Sequence, residues 1–172
     1  MSGQASPSKE SQTPENERAA EEFTFRNIGE FIFWFSQLEL ALRMALSNAL
    51  ALPRELFDAV TASYDFRTLC DVTLAACQFR CLDEATRKTM ADLISRAKQM
   101  NDTRVRIVHA TWMPGKSGPN AAHMSRQSLK VGYYFDEQAD LQAAVDRCSR
   151  LAQDAIRFPG GSLEASVKHS AP

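Results

Sequence analysis

Apolar and polar positions divide the chain into a polar start, four long helix-patterned stretches and a turn-rich interval before the last of them. From Thr24 to Leu50, Ile28, Ile32, Phe35, Leu42, Leu46 and Ala49 recur at helical spacing, and Phe31, Trp34, Leu38 and Ala45 widen the apolar arc. So broad an arc predicts the central helix of a bundle, covered on most sides. Thr24 or Asn27 is placed to cap its start and Pro53 to close the region. Residues 53–62 predict a short helix with proline in its first turn. Phe66 to Leu82 predicts the next, with Asp65 as N-cap and Leu69, Cys70, Thr73, Ala76 and Cys77 along its stripe. A third begins at Asp83-Glu-Ala-Thr and carries Met90, Leu93, Ala97, Met100 and Val108, with Ile94 and Ile107 at the edges, until Pro114 ends it. The last runs from Asp136, its expected cap, to Phe158, with Leu141, Ala144, Val145, Cys148, Leu151, Ala152 and Ile156 in register.

The intervals between these helices complete the expected fold. Residues 1–22 are rich in Ser, Glu, Gln and Pro and predict a disordered polar tail, because they cannot bury themselves. Residues 159–172 predict a flexible C-terminal tail, which leaves one domain over 23–158. Pro114 to His123 is dense in turn formers. Its Gly-Lys-Ser triplet lacks the upstream glycine and the strand-loop-helix setting of a phosphate loop. Leu129 to Phe135 predicts a short strand pairing with residues near Trp112, and His123 reads as a surface residue. The expected class is all-α: an antiparallel four-helix bundle with a short helical insert and a small β-hairpin before the last helix.

Composition sharpens this picture only in places. The chain of 172 residues is 44% hydrophobic and 24% charged, ordinary for one globular domain. Its formal net charge of -1 supplies no overall pull toward nucleic acid, so any such pull must be local. The helix-patterned segment from Asp83 up to His109 is locally basic, which reads either as solvation of its outer face or as a phosphate-attracting surface. Cys70, Cys77, Cys81 and Cys148 form no Cys-x-x-Cys and have no histidine at zinc-ligand spacing, so they read as buried free thiols in a reducing cytoplasm. No metal or cofactor site is expected. The polar N-terminus lacks a signal-peptide core, and the longest apolar run, Phe31 to Phe35, is too short to span a bilayer.

Two places put charge where the pattern expects apolar residues. Glu39 falls inside the apolar arc of the first helix, one turn before Arg43. A carboxylate there needs a partner. It either pairs with Arg43 or faces a cleft and meets Arg104 or His109. Arg104 falls on the stripe of Leu93, Ala97, Met100 and Val108. His109 follows five residues later, about 140° around an ideal helix, and Arg106 is its nearer neighbour. One straight helix therefore does not aim Arg104 and His109 at one point. Either the helix bends or unwinds near His109, or a second subunit completes the site.

The text Arg104-Val-Arg-Ile-Val-His109, followed by Ala-Thr-Trp112, resembles the Arg-x4-His motif of the HEPN superfamily, all-helical "higher eukaryotes and prokaryotes nucleotide-binding" domains. The long first helix with its embedded Leu38-Glu39 is similar to that of many bacterial members, and the resemblance extends diffusely over residues 24–158. It implies a metal-independent endoribonuclease of a toxin or defence system, or an RNA-binding relative, acting as a homodimer and answering to an antitoxin or regulatory partner. By that resemblance Arg104 binds the scissile phosphate and His109 moves the proton of the ribose 2′-hydroxyl, leaving a 2′,3′-cyclic phosphate. Glu39, Arg43, Asn101 and Arg106 would support them. The residue after the motif arginine is usually polar in the family and is Val105 here; Asn101, one turn earlier, is placed to substitute. The alternative reading is a non-catalytic interaction or dimerisation module in which Glu39, Arg43 and Arg104 form a buried network. A nucleotide-binding regulatory domain, which the family's name allows, finds no motif in this chain.

Overall fold

A computed structural model of the chain describes residues 14–80, 83–113, 120–124, 131–135 and 137–158. They are mostly helical, with one small sheet. Helix α1 spans Pro14–Leu50, and a single 3-10 turn at Arg54–Leu56 leads into the short α2, Phe57–Thr61. Helix α3 spans Phe66–Phe79, α4 Glu84–His109 and α5 Gln138–Arg157. Between α4 and α5 lie β1 (Thr111–Met113), β2 (Asn120–Met124) and β3 (Val131–Tyr134).

One core joins α1, α3, α4 and α5. Phe31, Leu38 and Leu42 of α1 meet Leu69 of α3, Ile94 of α4 and Val145 of α5 in a single buried cluster. Full burial of each such side chain contributes roughly 1.5–3 kcal/mol. Helix α1 packs mainly on α5 and α3, and α4 packs on α3 and α5. From Ala41 to Ser47 α1 is buried on nearly every side, as its broad apolar arc requires. Two edge positions fall differently from the helical-wheel reading. Ile32 and Val108 are exposed, while Phe31 and Ile107 occupy the core. At these positions the buried side chain is the preceding residue, while the rest of each stripe stands where the spacing put it, because a wheel places residues at the border of an arc only loosely. Ile156 is likewise exposed and Ala155 buried.

The helix starts follow capping chemistry. Asp65 accepts the amide hydrogens of Arg67 and Thr68, at 2.9 and 3.0 Å. The Thr68 hydroxyl and amide hold its carboxyl below the usual carboxylate range. Asp83 does the same for α4 through Thr86. The expected cap at Asp136 lies outside the described residues, as do Cys81, Leu82, residues 1–13 and the C-terminal tail from 159.

Helix α1 corrects the expected N-terminal tail. Residues 14–22 belong to it, so the helix begins well before Thr24. Pro14 in the first turn, Glu15 and Glu17 near the helix N-terminus, and an exposed Arg18–Glu22 pair explain the extension. These residues need no buried face, because they prolong a helix already nucleated by its packed half. Thr24 and Asn27 are therefore interior positions and not caps. Both are buried, and both donate to carbonyls four residues back, those of Ala20 and Phe23.

The sheet is an antiparallel meander, β1-β2-β3. The expected hairpin between Trp112 and the 129–135 stretch is interrupted by β2, which pairs with both. Trp112, Ala121 and Tyr134 stand opposite one another across its three strands, so they share one face. Ala121 is buried and β2 contacts α4. The sheet thus fixes the chain that leaves the C-terminal end of α4. No helix among the described residues is long and apolar enough to cross a membrane.

Candidate functional site

The C-terminal turns of α4 carry the candidate residues, and the helix stays regular through His109. Ile107 anchors this end in the core at 1% exposure. Its carbonyl accepts the indole N–H of Trp112 at 3.1 Å, and the Ala110 amide closes the last turn onto the Arg106 carbonyl at 3.1 Å. Helix ends leave such carbonyls without intrahelical donors. Trp112 in turn stacks on Phe135, 6.0 Å between centroids and 17° between planes. The indole thus ties the helix end to the sheet, a structural role for the most prominent aromatic of the motif.

Arg104 is half-buried, and its guanidinium lies over the Phe35 ring, 5.5 Å from the centroid. It forms no ion pair with another described residue. The ring satisfies the guanidinium face but takes none of the planar N–H donors at its edge. Arg104 is therefore a cation held in place with donors left for an anion.

Glu39 does not serve that arginine. Its carboxylate pairs with Arg43, Oε1 to Nη2 at 2.5 Å, and both side chains are about three-quarters buried, at 31% and 22% exposure. Of the two readings of Glu39, the local pair is the one formed. The Arg43 Nε is buried without a partner among the described residues.

His109 is the last residue of α4 and is exposed, with no hydrogen bond or ion pair to another described residue. Five helical residues separate it from Arg104, so the two project about 140° apart. The unbroken helix removes the bend as a way to join them. Within one chain, Arg104 turns to α1 and His109 to solvent. Arg106 is exposed and lies over Tyr134, 4.7 Å from the ring centroid. Asn101 is half-buried, and its Oδ1 finds no partner among the described residues. Val105 is half-buried and offers no polar group.

Sequence reasoning missed Phe35 and Tyr134, the aromatic partners of the two arginines. Neither lies near its arginine along the chain, and no local spacing marks such a pair. Half of the lysines and arginines of α4 form ion pairs among the described residues: Arg87 with Glu84, Arg96 with Asp92 and Asp154, and Lys98 with Asp71. No three side chains of metal-ligating type come together among the described residues. Cys70, Cys77 and Cys148 are buried free thiols, and burial pushes those of Cys70 and Cys148 up to about 12. Compared with family models, curated proteins and solved structures, the chain shows no match.

Proposed function

We propose that the chain is a HEPN-like antiparallel four-helix bundle that binds RNA as a homodimer and cleaves it without a metal. Arg104 carries this reading, as a half-buried guanidinium seated on Phe35 with no carboxylate opposite it among the described residues. A cation left in that state favours an anion, and the planar fork suits phosphate. The angular separation from His109 calls for a second copy, whose His109 would approach the first copy's Arg104. The imidazole takes the proton of the ribose 2′-hydroxyl while the 2′-oxygen bonds to phosphorus. The phosphorus–5′-oxygen bond breaks, and the leaving oxygen collects a proton from water. The ends are a 2′,3′-cyclic phosphate and a 5′-hydroxyl. The buried free thiols fit a reducing cytoplasm, and the resemblance points to a toxin or defence setting with an antitoxin or regulatory partner.

A second reading rests on the Glu39–Arg43 pair. An ion pair formed within one helix, with Arg104 engaged on a ring, also suits a non-catalytic dimerisation module whose charges hold packing in register.

The discriminating experiment incubates the purified protein with RNA in EDTA, beside a light-scattering measurement of mass. The expected result is a dimer that leaves cyclic phosphate ends, with His109→Ala losing at least about 100-fold of the rate. Equal cleavage by His109→Ala, or none by the wild type, removes the catalytic reading. A dimer without cleavage leaves the second.

A further inference from the structure

A groove of about 540 Å³ runs between α4 and α5, and Arg104 is not among the residues that line it. Its walls carry four arginines, Arg96, Arg147, Arg150 and Arg157, against one carboxylate, Asp154. That carboxylate is already engaged, since Arg96 Nη1 donates to it at 2.9 Å. Arg147, Arg150 and Arg157 are exposed and form no ion pair with another described residue. In a chain of net charge -1, this is a local concentration of unneutralised positive charge. Like charges around one groove repel, and an anion in the groove relieves that repulsion.

The spacing makes the charges a line. Positions 147, 150, 154 and 157 are three, four and three apart, so they share one face of α5. Ten residues of helix span about 15 Å, long enough for more than one consecutive phosphate. On α4, Arg96, Gln99 and Thr103 line the opposite wall at the same spacing, and the next position of that stripe is Arg106. Asp154 meets Arg96, while Arg106 lies over Tyr134, four residues before α5 begins. The two helices therefore run in opposite directions, and the α4 wall of the groove runs from Arg96 to Thr103, toward the end of α4 where His109 stands.

We infer that this groove is a track for the sugar-phosphate backbone of single-stranded RNA, leading the strand toward the C-terminal end of α4. The inference rests on the RNA reading above. Arginine forks suit phosphate oxygens, and the amides of Gln99 and Gln153 with the Thr103 hydroxyl suit phosphate and ribose. No aromatic side chain among the described residues lines the groove to stack a base, so it grips without reading sequence. The apolar floor, Met100 and Leu151, is buried and offers a peptide side chain little to cover.

The test is binding of a short fluorescein-labelled oligouridylate by anisotropy over a salt series. It uses the full chain, the triple variant Arg147→Gln/Arg150→Gln/Arg157→Gln, and Arg54→Gln as an exposed arginine outside the groove. All three residues of the triple variant are exposed, and matching circular dichroism melts establish that it folds. The triple variant should bind at least about tenfold more weakly, and its log K against log salt slope should shrink by about 2, from roughly 0.7 per lost phosphate contact. Arg54→Gln should match the wild type. This result supports the track even if no RNA is cleaved, in which case only the catalytic reading falls. If the folded triple variant binds with unchanged affinity and slope, the track is wrong, whether or not the wild type cleaves. It is also wrong if the wild type does not bind the oligonucleotide at low salt. Displacement of the RNA by oligoglutamate of equal charge would make the groove an acidic-peptide site and overturn the inference.

Discussion

The guanidinium of Arg104 lies over the ring of Phe35, 5.5 Å from its centroid, one turn of α1 away from the Glu39 carboxylate that pairs with Arg43 instead. A half-buried cation on an aromatic face contributes about 0.5–2 kcal/mol. Arg104→Ala should therefore lower unfolding free energy by about 1 kcal/mol, from lost cation–π attraction and lost packing of the aliphatic stem. Arg104→Ala and Phe35→Leu, combined in a double-mutant cycle by urea denaturation, should show a coupling of about 0.5–1 kcal/mol. Additivity of the two changes would mean that the ring does not hold the arginine.

The Glu39–Arg43 pair predicts an asymmetry between breaking it and replacing it. Glu39→Ala leaves Arg43, at 22% exposure and with an unpartnered buried Nε, without its anion. The expected loss is about 1–2 kcal/mol, below the cost for a fully buried pair because water still reaches both groups. Glu39→Leu with Arg43→Met removes both charges and should return to within about 1 kcal/mol of the wild type. Guanidinium chloride would mask the ionic term, so urea midpoints are the measure. A double variant less stable than Glu39→Ala would show that the pair contributes more than its replacement.

These two arginines also mark where the sequence stops being informative. The Glu39–Arg43 pair is local, four residues apart on one helix, and could be read as soon as the helix was. Arg104 and Phe35 sit on different helices, and only the packing of α4 against α1 brings them together. The same division runs through the fold. Asp65 was legible as a cap because capping is a local rule, and it accepts the expected amides. Strand β2 was not legible. Asn120-Ala-Ala-His-Met124 has little strand propensity of its own and lies among turn formers, and it is a strand because β1 and β3 pair with it on either side. The start of α1 is illegible for the opposite reason: residues 14–22 are a helix with almost no buried side chain, so they carry no apolar period to read. At the candidate site, spacing alone gave the separation of Arg104 and His109, and the unbroken α4 keeps it.

The buried thiols predict a stability that declines at high pH. Burial pushes Cys70 and Cys148 up to about 12, against an ordinary value of 9.0. A raised acid binds more protons in the folded chain than in the unfolded one between those values. Its contribution is complete below about pH 9 and is lost as pH rises toward 12. Each thiol should remove about 1.4 kcal/mol per pH unit across that window. Cys70→Ala/Cys148→Ala should be less stable at neutral pH but show a flatter profile above pH 9. Urea unfolding between pH 8 and 10.5 measures the slopes. Equal slopes would mean that the thiols are reached by water.

Helix α1 ends on an alanine where glycine is the usual choice. Ala51 has φ of 52°, the Leu52 amide donates to the Ser47 carbonyl at 3.0 Å, and the Ala51 amide donates to that of Asn48 at 3.2 Å. That is the Schellman arrangement, which places its C′ residue in the left-handed region. A Cβ there costs about 1 kcal/mol relative to glycine. Ala51→Gly should raise stability by about 0.5–1 kcal/mol and leave any RNA activity unchanged, because the position lies past the C-terminal end of α1, about four turns from Phe35. Thermal melts give the shift, and a lower melting temperature would show that the strain is relieved elsewhere.

The separation of Arg104 and His109 yields the sharpest test of a site shared between two copies. If one copy supplies the arginine and the other the histidine, Arg104→Ala and His109→Ala homodimers each lack one half of both sites. In a mixed dimer of two-fold symmetry, one site carries both substitutions and the other carries none. The intact site uses Arg104 from the His109→Ala chain and His109 from the Arg104→Ala chain. Co-refolding equal amounts makes about half of the dimers mixed, each with one working site, so cleavage should return to about one quarter of the wild-type rate. If both residues of a site came from the same chain, every site in the mixture would carry a substitution and no activity would return. Cleavage assays on the two variants apart and mixed distinguish these outcomes without knowledge of the natural RNA. Mixing without refolding supplies the control, since recovery then depends on how fast the dimers exchange subunits.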